Sequence, residues 1–208
     1  MKAFKKIANS KFGKYHIRET EFITESRRIP EHIKAPSWAN EGLSAEFNSD
    51  SIQIIRTEDE LRKIRSAGRA AAEVLRKAVE LSQAVPSGHD LDVSLFDFIV
   101  ANKWYPSCVG YCGFPKTLCV SQNDILVHGV PSKTPFRQGD FANLDVTVFT
   151  DGFFGDTSTM VCFGNVEPEI RRLVLSSDEL HSELSGGGDR RVQGRPALVG
   201  DREGHQVP

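Results

Sequence analysis

The sequence predicts an α+β fold, because its helical segments precede its strand segments instead of alternating with them. Apolar residues recur at helical spacing between residues 57 and 102. From residue 108 to residue 163 the pattern changes to short apolar runs, which polar turn residues separate. We therefore expect an antiparallel sheet with two helices packed on one of its faces and polar side chains lining the other.

The first predicted helix has a clear start. Thr57 and Glu60 form the Thr-x-x-Glu pattern of a capping box, and apolar residues follow at intervals of three and four as far as Gln83. A Pro-Ser-Gly sequence at residues 86–88 ends this pattern. A second, shorter apolar series then predicts a helix that ends near Asn102.

Four apolar runs predict the strands of the sheet. They cover residues 118–121, 125–130, 141–149 and 153–163. The last two runs are separated by a turn that contains Asp151-Gly152, a dipeptide that favours a two-residue loop between antiparallel strands. These two runs are therefore expected to form a hairpin.

The loop length determines which residues face each other across this hairpin. The expected pairs are Phe149 with Phe154, Thr147 with Asp156, and Asp145 with Ser158. Asp145 and Asp156 are then diagonal neighbours about 7 to 8 Å apart. At that separation the two carboxylates could share one cation, or two cations about 3.5 to 4 Å apart.

An amphipathic hairpin with an ordinary solvated face would show the same alternation of Asp, Thr and Ser. Asp145 argues against this alternative, because Asp is uncommon in strands and here it interrupts an apolar run. Val146, Val148 and Phe153 on the opposite face would pack against the core. The sequence thus leaves two interpretations open, half of a metal site or a polar surface.

Composition limits the classes of function. With 26 basic and 28 acidic residues among 208, the formal net charge is -2, which gives no reason to expect nucleic acid as a principal partner. No apolar run approaches the roughly 18 to 20 residues needed to cross a bilayer, so no membrane partner is expected. The four cysteines are expected to be reduced, and their spacing does not fit a structural zinc site.

The chain divides into four predicted segments, which are residues 1–25, 26–56, 57–173 and 174–208. The first is a basic arm or an organellar presequence, because six Lys and Arg residues precede the first acidic residue, Glu19. The second is punctuated by proline and predicts an extended segment over the domain surface. The third holds the helices and strands. A short helical pattern from residue 168 to residue 184 crosses from the third segment into the fourth, and a Gly-rich, charged tail expected to be disordered follows from residue 185.

Five short motifs occur in order along the chain. They are Cys108-x-x-Tyr111-x-Gly113-Phe114-Pro115-Lys116-x-x-Cys119, Val127-His128-Gly129-Val130-Pro131, Gly139-Asp140, Asn143-x-Asp145-Val146-Thr147 and Gly155-Asp156-Thr157-Ser158. Together they closely resemble type I methionine aminopeptidases, over a stretch from about Ile29 to Leu173. The bacterial and organellar forms are more similar than the eukaryotic cytosolic form, whose N-terminal zinc-finger region is absent here.

The resemblance implies a partial pita-bread fold and a metal-dependent hydrolase that removes the initiator methionine from new proteins. It makes Asp145 and Asp156 ligands of two divalent metal ions, with Co, Mn, Fe or Zn as the candidates. These ions would activate a water molecule that attacks the peptide carbonyl. His128 would be the catalytic imidazole that contacts the substrate near the scissile bond and stabilises the developing oxyanion.

Three positions match the family's pocket for the methionine side chain, namely Cys108, Tyr111 and Cys119. Sulfur and aromatic surfaces suit a flexible thioether. Without the resemblance, these residues would be interpreted as ordinary core packing, and His128 as a loop histidine at a strand end. Cys112 stands where family members place His, so it is given no pocket role.

The family site also needs one His and two Glu from a second half of the fold. The corresponding His-Gly-x-Gly motif is absent after Asp156, as a truncated gene model, a frameshift or a retained intron would each explain. We therefore expect an incomplete ligand set, a missing second half and negligible turnover. The alternatives are a non-catalytic half-domain that binds N-terminal peptides, or a chain that does not fold stably.

The resemblance also implies partners and a location. The partners are the N-terminal Met peptides of nascent proteins, with the ribosome as a further candidate, and the chain is expected to be a monomer. The expected location is the mitochondrion or a plastid, with the cytoplasm as the alternative.

Overall fold

The computed structural model describes residues 25–41 and 57–184, with side chains described as far as residue 39 in the first range and residue 176 in the second. The expectations for the basic arm and for the tail beyond residue 184 lie outside the described residues. None of the helices in the described ranges is long and apolar enough to cross a membrane.

Four helices follow each other along the described chain. They are α1 (Ser37–Glu41), α2 (Glu58–Ser82), α3 (Gly88–Ala101) and α4 (Pro168–Leu184). The predicted capping box begins α2, because the Glu60 N–H donates to Thr57 Oγ1 while the Thr57 N–H donates to Glu60 Oε2. The two long helices predicted before the sheet are therefore confirmed.

The sheet contains four antiparallel strands. They are β1 (Tyr105–Pro106), β2 (Leu118–Gln122), β3 (Phe141–Thr150) and β4 (Phe153–Cys162). The central strand is β3, which pairs with β4 along its whole length on one side. On its other side, β3 pairs first with β2 and then with the two residues of β1.

The predicted hairpin register is confirmed. Thr147 pairs with Asp156, and Asp145 pairs with Ser158. The loop residues Asp151 and Gly152 both have positive φ, 54° and 90°, as the two-residue turn that suits twisted strands requires. The two-residue turn therefore sets the register of the whole hairpin.

The core lies between helices α2 and α3 on one side and one face of the sheet on the other. Small residues of α2, including Ala70, Ala71 and Ala78, let the helix approach the strands closely. The approach is tightest at Gly155 of β4, where an added Cβ would lie 2.1 Å from the Ala67 carbonyl oxygen. The helices thus cover one face of the sheet, as predicted.

The strand predicted at residues 125–130 is wrong. The segment is a loop beside β2, and the Val120 N–H donates to the Gly129 carbonyl at 2.8 Å while the Gly129 N–H donates to Ser121 Oγ. His128 has a φ of 51°, a left-handed conformation that interrupts an extended strand. Leu126 is 89% exposed, so the apolar character of the run does not reflect core packing.

The connection between β2 and β3 is held by one buried carboxylate. Asp140 accepts hydrogen bonds from the side chains of Gln122 and Asn123 at 2.9 and 2.8 Å, and from the Arg137 N–H at 2.8 Å. The Gly139-Asp140 motif therefore has a structural role, because it ties the end of β2 to the start of β3.

The leading segment docks against the domain, and its described part is not extended throughout. Residues 25–36 contain no helix or strand, but α1 follows directly. Ile33 is buried with Tyr105 and Phe149 in a small apolar cluster. The sequence missed α1 because one turn is too short to show a helical period.

The last helix does not stop at residue 174, where the divergent tail was expected to begin. It continues to Leu184, and Val174 is buried with Cys162 and Val166 in a third apolar cluster. The helical pattern predicted between residues 168 and 184 is therefore confirmed.

Candidate metal site and adjoining pocket

The sheet face away from the helices carries polar side chains. Asn143, Asp145 and Thr147 of β3 are half-buried, whereas Asp156 and Ser158 of β4 are exposed. The intervening residues of β3 point toward the helices and are buried, so the alternation of strand side chains separates the two faces. We refer to this polar side as the open face.

Asp145 and Asp156 both lie on the open face, at diagonal positions of adjacent strands. The Thr147 hydroxyl donates to Asp156 Oδ1 at 3.2 Å. Burial raises the pKa of the Asp145 carboxyl, and the negative charge of Asp156 raises it further, whereas the positive charge of His128 lowers it. The two carboxylates are therefore close enough to repel each other, which a cation between them would relieve.

His128 lies at the edge of the open face, in the loop that follows β2. The backbone of this loop lies against β2 at Gly129, where an added Cβ would be 2.2 Å from the Val120 carbonyl oxygen. Only glycine allows this approach, so the backbone beside His128 is fixed although its side chain is exposed. The loop thus fixes the backbone of His128, whose charge acts on the Asp145 carboxyl.

Two thiols adjoin Asp145. Cys119 pairs with Asp145 across β2 and β3, and a hydrogen bond joins its thiol to that of Cys108. This hydrogen bond raises the pKa of Cys119, as do burial and the negative charges of Asp145 and Asp156. The same hydrogen bond lowers the pKa of Cys108. Two of the three predicted pocket residues are thus in contact beside the acidic pair.

Tyr111, the third predicted pocket residue, belongs to an irregular loop. Gly110, Cys112 and Gly113 all have positive φ, between 49° and 84°. The Gly110 N–H donates to the Phe114 carbonyl at 2.7 Å, which closes the loop on itself. Tyr111 is 44% exposed, and its ring meets Trp38 of α1 edge-on with centroids 5.3 Å apart.

The donor chemistry of the open face fits part of a divalent metal site. Its two carboxylates offer the hard oxygen ligands that such ions take in hydrolases. Among the described residues, however, no group of three or more His, Cys, Asp or Glu side chains is arranged to hold a metal ion. The described part of the chain therefore supplies two candidate ligands.

A buried ion pair that the sequence pattern does not indicate lies near the site. Asp92 of α3 accepts a hydrogen bond from the Thr117 N–H at 2.6 Å, and Lys116 Nζ lies 3.9 Å from its other oxygen. Lys116 is only 3% exposed on its side chain. The pair fixes the backbone that leads into β2 and so fixes Cys119. Only the Lys of the Gly-Phe-Pro-Lys motif was visible in the sequence, not its partner.

The chain is similar in sequence and fold to known proteins. The sequence profile of Metallopeptidase family M24 matches residues 62–185, which is more than half of the chain. The chain therefore belongs to metallopeptidase family M24.

More specific similarity is to methionine aminopeptidases. The chain is 34% identical over 152 residues to the human protein "Methionine aminopeptidase 1D, mitochondrial", an alignment that covers 73% of this chain and 45% of the relative. It is 36% identical over 151 residues to "Methionine aminopeptidase 1B, chloroplastic" of Arabidopsis thaliana, covering 73% of this chain and 40% of the relative. The chain thus spans about half the length of the curated relatives it matches.

A solved structure is also similar. The crystal structure of methionine aminopeptidase from Rickettsia prowazekii superposes with a TM-score of 0.58 and is 35% identical, covering 64% of this chain and 53% of that chain. The similarity confirms the predicted fold class, an α+β arrangement of the pita-bread type, and the predicted resemblance to type I methionine aminopeptidases.

Proposed function

We propose that this chain carries the first part of a metal-dependent methionine aminopeptidase site, with Asp145 and Asp156 as ligands of divalent metal ions. The observation that carries the proposal is the convergence of these two carboxylates on the open face, next to the Cys108–Cys119 thiol pair. The names of the similar proteins support methionine as the N-terminal residue that is removed.

Each side chain would have a distinct role. The half-buried Asp145 and the exposed Asp156 would hold the ions, which supply Lewis acidity and a lower pKa of bound water. His128, held beside Asp145, would donate a hydrogen bond to the carbonyl oxygen of the scissile bond. The thiols of Cys108 and Cys119, with the Tyr111 ring, would contact the methionine thioether.

We also propose that the 208-residue chain binds these ions weakly and releases methionine slowly. Its described residues supply two carboxylates, and metal affinity depends on the number of ligands and on the groups that support them. Co, Mn, Fe and Zn remain the candidate ions, because the available oxygen ligands suit all four.

The metal role can be tested by titrating the full chain with Mn²⁺ or Co²⁺ in a calorimeter. Asp145→Asn and Asp156→Asn should each weaken binding by about ten- to a hundredfold, since each removes a charged ligand. Asp151→Asn is the matched control, because Asp151 lies in the turn of the same hairpin and Asn tolerates its positive φ. Equal metal affinity in the wild type and all three variants would contradict the assignment of Asp145 and Asp156 as metal ligands.

Turnover is tested separately with a Met-Ala-Ser peptide. We expect negligible release of methionine by the purified chain with any of the four metals. Rapid metal-dependent release that Asp145→Ala abolishes would show that the chain holds a complete site, and the proposed weakness would be wrong.

A second candidate function is peptide binding without catalysis. The observation that favours it is the same thiol pair and tyrosine beside a set of only two described carboxylates. Saturable binding of Met-Ala-Ser that a chelator does not change, with no product formed, would support this function over the enzyme.

We propose N-terminal Met peptides of nascent proteins as partners, an organelle as the location, and a monomeric chain. Relatives named as mitochondrial and chloroplastic support the location. The full chain fused at its C-terminus to a fluorescent protein should enter an organelle, and replacing the lysines of residues 1–25 with Gln should leave it in the cytoplasm. Cosedimentation with translating ribosomes would test the ribosome as a further partner.

A further inference from the structure

We propose that Trp38 of the leading segment is a positioning residue for the wall of the pocket that Tyr111 forms. The inference rests on the proposed function of the pocket. It gives the leading segment a part in selecting the N-terminal side chain, a role that the sequence did not indicate.

The leading segment is anchored well away from Trp38. The Arg27 guanidinium lies over the Phe96 ring at 4.4 Å, pairs with Asp97 at 2.8 Å and donates to the Val93 carbonyl. These contacts attach the segment to α3. A second anchor comes from the buried Lys116, whose Nζ donates to the Glu25 carbonyl at 3.1 Å.

The segment is fixed again next to Trp38 itself. Ile33 is 5% exposed and packs with Tyr105 and Phe149, the residues that pair β1 with β3. Trp38 packs against this cluster and meets the Tyr105 ring edge-on, with centroids 6.1 Å apart. One side of the indole therefore rests on the sheet.

The other side of the indole supports the Tyr111 loop. Its ring meets Tyr111 edge-on at 5.3 Å, and a Cβ added to Gly110 would lie 3.9 Å from Trp38 Cζ3. The loop makes short-range backbone hydrogen bonds between residues 108 and 114. Cys112 is the non-glycine residue of the loop with positive φ, 49°, a strained backbone conformation that persists only where surrounding contacts hold it.

The consequence concerns selectivity. Trp38 bridges the Tyr105 cluster and the loop of Tyr111, so the size of the proposed methionine pocket would depend on the indole. Edge-on aromatic pairs contribute enough beyond their buried area to change an equilibrium by about tenfold. Loss of the indole should let Tyr111 move and the pocket accept other side chains.

The test uses the full chain with Trp38→Ala, and with Trp38→Phe to restore a ring. Trp104→Phe is the matched control, because Trp104 is the other tryptophan and packs on Phe98 of α3. If Trp38→Ala does not fold, Trp38→Leu keeps apolar volume without a ring and takes its place.

The first measurement is hydrogen–deuterium exchange. Trp38→Ala should speed exchange of the amides at residues 110–114 by about five- to tenfold and leave α2 unchanged. Trp38→Phe should recover most of the protection, and Trp104→Phe should leave the loop unchanged. Unaltered loop exchange in Trp38→Ala would overturn the inference whether or not the chain binds peptide.

The second measurement compares the affinities for Met-Ala-Ser and Leu-Ala-Ser without added metal. Trp38→Ala should weaken binding of the Met peptide by about tenfold and bring the two affinities closer together, which simple destabilisation would not do. An unchanged ratio of affinities would refute the role in selection. Faster loop exchange in a chain whose wild type binds neither peptide would support the positioning by Trp38 and contradict the proposed function.

Discussion

The buried pair of Asp92 and Lys116 holds the backbone that leads into β2 and the candidate site. Asp92 receives one short hydrogen bond from the Thr117 N–H, while the ammonium group of Lys116 lies farther away. Burial raises the pKa of the Asp92 carboxyl, and the hydrogen bond and the nearby ammonium group oppose this effect. The desolvation of the carboxylate is therefore incompletely compensated.

This imbalance predicts a pH dependence of stability. Because the folded-state pKa of Asp92 lies above its ordinary value of 3.8, the folded chain binds a proton more readily than the unfolded chain there. The contribution of Asp92 to the free energy of unfolding should therefore increase as the pH falls through its folded-state pKa toward 3.8. Urea unfolding at several pH values should show the stability of the wild type increasing relative to that of Asp92→Asn in this window.

Ser94→Ala provides the reference for this comparison, because it changes a side chain of the same helix that does not titrate. Its stability difference from the wild type should therefore stay constant through the same pH window. A stability of the wild type that falls relative to that of Asp92→Asn as the pH falls would contradict the assigned direction of the Asp92 pKa.

The two hydrogen-bonded thiols, Cys108 and Cys119, should differ in their reactivity. The pKa of Cys108 lies below its ordinary value of 9.0, whereas that of Cys119 lies above it. Alkylation by iodoacetamide requires the thiolate. Mass spectrometry should therefore find Cys108 modified with a midpoint below pH 9.0 and Cys119 still unmodified there, with the buried Cys162 as a slow reference.

Cys119→Ser tests the cause of this difference. It replaces the thiol that hydrogen-bonds to Cys108 with a hydroxyl, a weaker acid that remains a donor. Cys119→Ala removes the donor, and the alkylation midpoint of Cys108 should then move to higher pH. If the midpoint does not move, the hydrogen bond does not control the Cys108 thiol.

At the scale of secondary-structure elements, the contact between α2 and β4 places the hairpin. Gly155 lies one residue before Asp156, and its backbone lies against the backbone of the helix at Ala67. Any side chain here would push β4 away from α2. The position of one candidate ligand is therefore set by the absence of a side chain at its neighbour.

Gly155→Ala should lower the free energy of unfolding by about 1 to 3 kcal/mol, because the new Cβ would collide with the Ala67 carbonyl. Gly68→Ala is the matched change on the exposed side of the same helix, where an added Cβ meets nothing within 4 Å. It should raise stability by about 0.5 to 1 kcal/mol, since Ala favours helix. Chemical denaturation of both variants measures these differences.

Equal stability losses in the two variants would mean that the helix and hairpin are not packed as described. Metal titration adds a second readout. Gly155→Ala should also weaken Mn²⁺ binding, whereas Gly68→Ala should leave it unchanged, because only the first change displaces Asp156.

On the scale of the whole molecule, apolar side chains are exposed beside the open face. Leu126 and Val127 are 89% and 63% exposed and precede His128 in the loop. Exposed apolar residues that cluster mark interaction surfaces or aggregation-prone sites. In the described part of the chain, this patch lies at the edge of the candidate site.

We expect the dye ANS to bind this patch. Leu126→Ser together with Val127→Ser should lower ANS fluorescence by about half or more, because the dye responds to exposed apolar surface. Leu173→Ser is the control, since Leu173 is similarly exposed but lies on α4 instead of in the loop before His128. Similar losses of fluorescence in both variants would show that the dye does not distinguish the two surfaces.

Features that depend on residues close together in the sequence could be predicted from it. The capping box at Thr57 and the turn at Asp151 and Gly152 each act within a few residues, so the helix start and the hairpin register followed directly. The positions of Asp145 and Asp156 on one face follow from that register. The amino-acid sequence alone therefore predicts this part of the candidate site.

Long-range contacts could not be predicted in this way. Asp92 and Lys116 are separated along the chain by the rest of α3 and the Tyr111 loop, and Trp38 is also distant in sequence from Tyr111, so neither pairing leaves a periodic signal. The run at residues 125–130 has the composition of a strand, but the close approach of Gly129 to β2 and the left-handed backbone of His128 produce a loop. Here the tertiary packing decides the conformation.

The two-residue loop of the hairpin has a further consequence for how this chain can vary. Because side chains alternate along a strand, one extra residue after Gly152 would turn Asp156 toward Ala67 unless a bulge absorbed it. Two extra residues would restore its orientation. Insertions in this loop should therefore obey a parity rule, and a library of loop lengths selected for cation binding should be enriched in even-numbered additions.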